Sequence, residues 1–191
     1  GAFFAGSVGY TGEPGDIAHW PGGLVLAFPA SGTVNGTLVL APGDVNLTFK
    51  TYLRDAIRLG IENDHVITID DVPVGVAGDG APAADEASLR GASLDAEMMR
   101  GYFAAWGDAS AYAVSHVGWG LNRAARWDAM TFYDKADFNG TELRAFAGNF
   151  LYSTGANEVA GRHTLGHFDL PLRGCTIALD GQVVVDRGRL L

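Results

Sequence analysis

The chain has 191 residues, 48% of them hydrophobic, which fits one large domain or two small ones around a buried core and argues against disorder. A formal net charge of −9 disfavours nucleic-acid backbones, which are held by basic stripes, and points to a small-molecule partner. The single cysteine, Cys175, excludes an internal disulfide framework, and no apolar run approaches the roughly 18 residues of a membrane span, so a cytoplasmic protein is expected.

The opening stretch GAFFAGSVGYTGEPGD has an apolar patch but no basic leader, and so fails the first requirement of a secretory signal. Its initial Gly, with no Met, suggests a cut or processed chain. Five β-like runs follow: LVLAF (24–28), TLVLA (37–41), VNLTFK (45–50), AIRLGIEN (56–63) and HVITID (65–70). Asn35-Gly36 and Pro42-Gly43 between them supply the backbone angles that tight reversals need, so a meander or small barrel-like sheet is expected. The Gly/Ala/Pro/Asp-rich stretch 72–92 lacks a sustained period and reads as a surface loop or insertion.

From Ser93 the pattern turns helical, with Leu94, Met98, Tyr102 and Ala105 near one face. Ser93 is placed to cap the N-terminus, Glu97 favours the dipole of the first turn, and Gly107 is the expected end. The run AYAVSHVGW (111–119) reads as a buried strand ending at a tight glycine loop. NRAARWDAM (122–130) predicts a short helix, ELRAFAGNFLYSTG (142–155) a strand with an internal glycine, and HFDLPLR (167–173) a short strand. CTIALDGQVVVDRG reads as two strands joined by Asp180-Gly181, a strong hairpin signal. The expected fold is α+β and strand-rich. A small N-terminal sheet is followed by a mixed sheet with a few helices that carries the functional site, all in one domain over 1–191.

Five histidines offer chemistry, in unequal settings. His65 lies in an alternating strand beside Asp64, where a hydrogen-bonded structural role is the ordinary reading. His167 and Asp169, two positions apart in a strand, can present an imidazole and a carboxylate on one face, although H-x-D by itself is common. Pro171 directs that strand to a sheet edge or pocket rim. His116 ends an apolar run just before Gly118 and Gly120, which let backbone or ligand approach closely. Two imidazoles and one carboxylate make the facial triad that leaves iron(II) open positions for substrate and O₂, whereas a closed zinc site would draw on four ligands. On spacing alone, three unrelated polar core residues remain an equal alternative. Trp106, Trp119, Trp127, Phe150 and Phe168 are core residues by default, with one or two available to wall a pocket. Arg144 and Arg173 are placed to counter a substrate anion or simply to pair with carboxylates.

The strings HWPGGL (19–24), SHVGWGLN (115–122), NGTELRAFAGNFLYSTGANE (139–158) and GHFDLPLRGCTIALDG (166–181) resemble the C-terminal part of 2,5-dihydroxypyridine 5,6-dioxygenases, and the resemblance spans nearly the whole chain. It implies one iron(II) per chain, held by His116, His167 and Asp169. Both atoms of O₂ would enter a dihydroxypyridine ring that opens between carbons 5 and 6 to N-formylmaleamate. It also implies a homo-oligomer and an N-terminal domain, absent here, that contributes to the pocket. His19, in a loop beside Trp20, is assigned as a group that orients or deprotonates the hydroxypyridine. Ser153 matches a pocket serine. Glu158 and His163 flank the iron-binding segment as expected partners that fix a ligand tautomer. Metallopeptidases of the aminopeptidase T type are similar around HFD and VGWGLN, but they bind two metals and carry a glutamate and a histidine where His116 and Leu151 stand. The rival readings are therefore a peptidase and a silent oligomerisation domain.

Overall fold

The computed structural model describes residues 2–74 and 93–191, so the expected loop at 72–92 falls almost wholly outside the described residues. In chain order the first strands are β1 (Phe3–Ser7), β2 (Leu24–Phe28), β3 (Gly36–Leu40), β4 (Val45–Asn46), β5 (Thr51–Tyr52), β6 (Ile57–Glu62), β7 (His65–Ile69) and β8 (Val72–Pro73). Helix α1 (Leu94–Trp106) leads to β9 (Val114–Gly120) and helix α2 (Thr141–Ala145). Then come β10 (Phe150–Thr154), β11 (Phe168–Leu172), β12 (Ile177–Leu179), β13 (Gln182–Asp186) and β14 (Arg189–Leu190). None of the described helices is long and apolar enough to cross a membrane.

The strand-rich expectation holds, but the sheets are divided differently. β3, β6, β7 and β8 form a four-stranded antiparallel sheet, in which β6 buries Ile57, Leu59 and Ile61 and exposes Arg58 and Glu62. That is the period of a half-buried strand. The LVLAF run lies elsewhere. As β2 it joins a five-stranded sheet of order β1-β2-β9-β10-β11, because its pairing partner β9 is some ninety residues away in sequence. Each neighbouring pair in this sheet is antiparallel, so the sheet is not mixed. VNLTFK yields only the two residues of β4, since Asn46 Oδ1 accepts the Phe49 amide and Lys50 adopts a positive φ that closes a turn into β5.

Helix α1 has its expected ends: Ser93 Oγ accepts the Ala96 amide at 3.1 Å and Gly107 is left-handed at φ 57°. Its buried face is Ala96, Met99 and Phe103, whereas Leu94 and Met98 are exposed. Apolar residues occur on both sides of this helix, and the smaller Ala96 marks the side that meets the sheet. Of the strand expected over 142–155, Phe150–Thr154 forms β10, but the start belongs to helix α2, TELRA. Asn149 holds it against β9 by donating to the Leu143 and Arg144 carbonyls and accepting the Gly120 amide. Residues 122–130 form turns and the start of a 3₁₀ turn at Ala129–Thr131. The Asp180-Gly181 hairpin is present, both residues at positive φ, and β14 extends it to three strands.

One apolar core joins the two larger sheets to α1. Leu40, Ile57, Leu59 and Ile69 meet Met99 and Phe103, and these meet Tyr112, Val114, Tyr152, Phe168, Leu170 and Leu172. A buried ion pair closes one side: Asp64, with no exposed side-chain surface, is 2.8 Å from Arg162 and accepts the amides of Gly32 and Val34. Along β11 the side chains alternate, so Phe168 and Leu170 enter this core while Asp169 is turned to the opposite face. Phe168 is held between Phe103 and Tyr102, with ring centroids at 5.2 and 4.9 Å.

Candidate functional site

The site face of the five-stranded sheet is built from a row of cross-strand neighbours. Ser153 on β10 stands opposite His116 on β9 and opposite Asp169 on β11. The row works because of a bulge: Ser153 pairs with His116, but the next residue, Thr154, pairs with Val114, leaving Ser115 as the extra residue of β9. Without the bulge Val114 and His116 would share a face. With it, Val114 enters the core and His116 reaches the site. On the far side of His116 the Phe28 ring packs at 5.4 Å, and Phe3 lies against Phe28 at 6.1 Å. His167 sits just before β11, its backbone carbonyl accepting the Tyr102 hydroxyl of α1 at 2.8 Å.

Asp169 is the hub. Its Oδ1 accepts the Ser153 hydroxyl and faces Nε2 of His167 at 3.3 Å and Nε2 of His116 at 3.7 Å, while Oδ2 accepts Arg144 Nη1 at 3.0 Å. Burial opposes its charge, but His167, Arg144 and His116 outweigh burial and hold the carboxyl well below the ordinary range. Burial also lowers His116, to about 4, against the opposing pull of Asp169, so its imidazole is neutral at pH 7. His167 goes the other way. Its hydrogen bond to Asp169, with a smaller contribution from the Thr154 backbone, raises it above the usual histidine value.

The structure thus brings together four of the five site residues expected from sequence: His116, Ser153, His167 and Asp169. His19 is exposed, and among the described residues no hydrogen bond, ion pair or ring contact links its imidazole to the cluster; its carbonyl accepts the Ser7 hydroxyl. The next residues, Trp20 and Pro21, line a cleft of about 600 Å³ with Asn122, Tyr133, Phe138 and Glu142, and that lining includes none of the four clustered residues. Glu158 and His163 are exposed and do not hold the imidazoles. At His116 it is Ser115 that stands there instead. Of the two arginines, Arg144 reaches the site, whereas Arg173 lies over the Trp127 ring at 5.1 Å. Sequence reasoning passed over Ser115 and Phe28; the position of Phe28, ending an apolar strand, was the available signal.

The donor types in this cluster are ones that could hold a metal ion. Two imidazoles with their Nε2 atoms turned to one carboxylate oxygen are the ligand types of a facial triad. His116 Nδ1 is engaged by Ser115 Oγ at 3.0 Å, as a ligating histidine requires. Among the described residues, no group of three or more His, Cys, Asp or Glu side chains forms a ready metal-binding set. What stands there is a hydrogen-bonded cluster centred on Asp169.

The chain is similar to known proteins over nearly its whole length. A family model for 2,5-dihydroxypyridine 5,6-dioxygenase matches residues 2–76 and 87–191. The 2,5-dihydroxypyridine 5,6-dioxygenase of Pseudomonas putida KT2440 is 41% identical over 182 residues, which are 94% of this chain and 46% of the relative. A solved structure of 2,5-dihydroxypyridine dioxygenase from the same organism superposes with a TM-score of 0.83 at 37% identity. It is covered over 49% of its length by 100% of this chain. The chain therefore spans about half the length of the relatives it matches. Its matched length and identity show that it belongs to the 2,5-dihydroxypyridine 5,6-dioxygenase family.

Proposed function

We propose that this chain carries the iron(II) centre of a dioxygenase that opens the ring of 2,5-dihydroxypyridine between carbons 5 and 6 with O₂. One observation carries the reading: in a member of this family, the bulge at Ser115 and the alternation of β11 turn His116, Ser153, His167 and Asp169 onto one face. His116 Nε2, His167 Nε2 and an Asp169 oxygen would hold the ion, one per chain. Iron(II) in a facial triad supplies open positions at which an electron-rich ring and O₂ react together.

The chain's own residues prepare that site. Low basicity keeps His116 unprotonated at neutral pH, so its Nε2 lone pair is available without first losing a proton. His167, with raised basicity, must release its Nε2 proton before it can act as a ligand. Arg144 occupies the outer carboxylate oxygen, which directs Asp169 to offer Oδ1. Ser153, fully buried, donates to that same oxygen and helps to fix the carboxylate, and its part at a substrate rests on the resemblance alone. Phe28 provides an aromatic wall beside His116 for a flat ring. For His19 the surroundings offer no contact with the cluster among the described residues, and its part as a proton acceptor rests on the resemblance alone.

The test is oxygen uptake with 2,5-dihydroxypyridine after anaerobic loading with ferrous iron. The expected result is substrate-dependent uptake that disappears in His116→Ala. Full uptake by His116→Ala would show that the residues are misassigned, and a chain that binds no metal would favour an oligomerisation role.

A further inference from the structure

The four consecutive residues Ser153–Ala156 touch Asp169 directly and reach His116 through Ser115. Ser153 donates to Asp169 Oδ1, the Ala156 carbonyl accepts the Ser115 hydroxyl at 2.6 Å, and Gly155 between them lies beside His167 Nδ1. Ser115 in turn lies 3.0 Å from His116 Nδ1. The chemistry of these contacts leaves one assignment. A carbonyl oxygen only accepts, so Ser115 spends its single hydroxyl hydrogen on Ala156, and its oxygen must then accept from His116. His116 therefore carries its hydrogen on Nδ1 and presents a bare Nε2 to Asp169.

The turn that does this is constrained. Gly155 adopts φ 125°, and a Cβ there would stand 2.4 Å from the Gly166 carbonyl oxygen and 3.2 Å from His167 Nδ1. Its amide donates to Ala113 at 2.8 Å, which ties the turn to the start of β9, just before the bulge. Ser115 is 3% exposed, so water does not compete for its hydroxyl.

We propose that Ser115, seated on the Ser153–Ala156 turn, is a positioning residue that fixes the tautomer of His116 and so aims its Nε2 at the metal position. This rests on the reading of the site as an iron centre, but half of its test does not. In metal-free protein at neutral pH, nitrogen-15 correlation spectra of labelled histidine read the tautomer directly. The wild type should show His116 protonated on Nδ1, Ser115→Ala should show a mixture of tautomers, and Ser115→Cys, which keeps the volume but donates and accepts weakly, should follow Ser115→Ala. In anaerobic competition with a chelator, both variants should bind ferrous iron about 10- to 100-fold more weakly than the wild type, the usual loss when the group orienting a ligating histidine is removed. Metal-free melting checks that each variant is folded.

An unchanged His116 tautomer in a folded Ser115→Ala or Ser115→Cys protein overturns the inference, as does wild-type iron affinity in Ser115→Cys. If the wild type itself binds no iron, the reading of the site fails while the tautomer comparison still decides the role of Ser115.

Discussion

Replacing Arg144 by alanine isolates what the cluster owes to its one permanent cation. In the folded chain Arg144 Nη1 donates to Asp169 Oδ2 at 3.0 Å, with the two side chains 21% and 7% exposed. Removing one member of a buried pair costs about 3–5 kcal/mol, because the remaining charge is stranded. Here Arg144 is partly hydrated, and Ser153 and His167 still face the carboxylate, so the loss belongs at or just under the low end, about 2–3 kcal/mol. A chain of this size shifts by about 2–4 °C per kcal/mol, so metal-free Arg144→Ala should melt roughly 4–12 °C below the wild type in calorimetry at pH 7. Arg144→Lys should recover only part of the difference, since an ammonium lacks the fork that also reaches the Asn139 carbonyl. A melting point for Arg144→Ala within about 1 °C of wild type would refute the idea that Asp169 depends on this partner.

Two further outcomes follow from buried charge. In metal-free protein His116 should stay neutral down to about pH 4, against 6.5 for a free imidazole, because burial disfavours its cation. The unfolded chain takes up that proton first, so the stability from this group is present above about pH 6.5. It fades as pH falls through 4, by up to about 3 kcal/mol. An NMR titration placing His116 near 6.5 would contradict it. Asp64→Asn should destabilise the fold by about 3–5 kcal/mol in urea unfolding, since the new amide would face donors from Gly32, Val34 or Arg162. A change under about 1 kcal/mol would show that the pair is dispensable.

Where the sequence spoke locally, it was legible. Ser93 and Gly107 bound a helix by capping chemistry, Asp180-Gly181 makes a hairpin turn because both residues tolerate positive φ, and Pro171 marks β11 as an edge strand. Long-range pairing was not legible. Nothing in LVLAF says that it pairs with SHVGWG, and that pairing decides which sheet carries the site. TELRA alternates in a way that suits a strand and also suits one helical turn, and the contacts of Asn149 with its last carbonyls settle it as a helix. The candidate ligands could be named because five histidines are few enough to rank one by one, and Asp169 stands two positions from one of them. Ser115 could not, because its importance comes from a one-residue bulge that only the register of β9 against β10 reveals. The charged neighbours Glu158 and His163 are the partners the sequence suggests, yet His116 meets the Ser115 hydroxyl, which carries no sequence signature.

The central claim is that His116, His167 and Asp169 act together on one ion. Its most direct test is an anaerobic ferrous-iron titration of the wild type and the three single alanine variants, with bound metal measured by elemental analysis after gel filtration. The account predicts about one iron per chain in the wild type, the stoichiometry of a facial triad, and loss of tight binding in each variant. Undiminished iron binding by Asp169→Ala, whose carboxylate stands at the centre of the cluster, would contradict it.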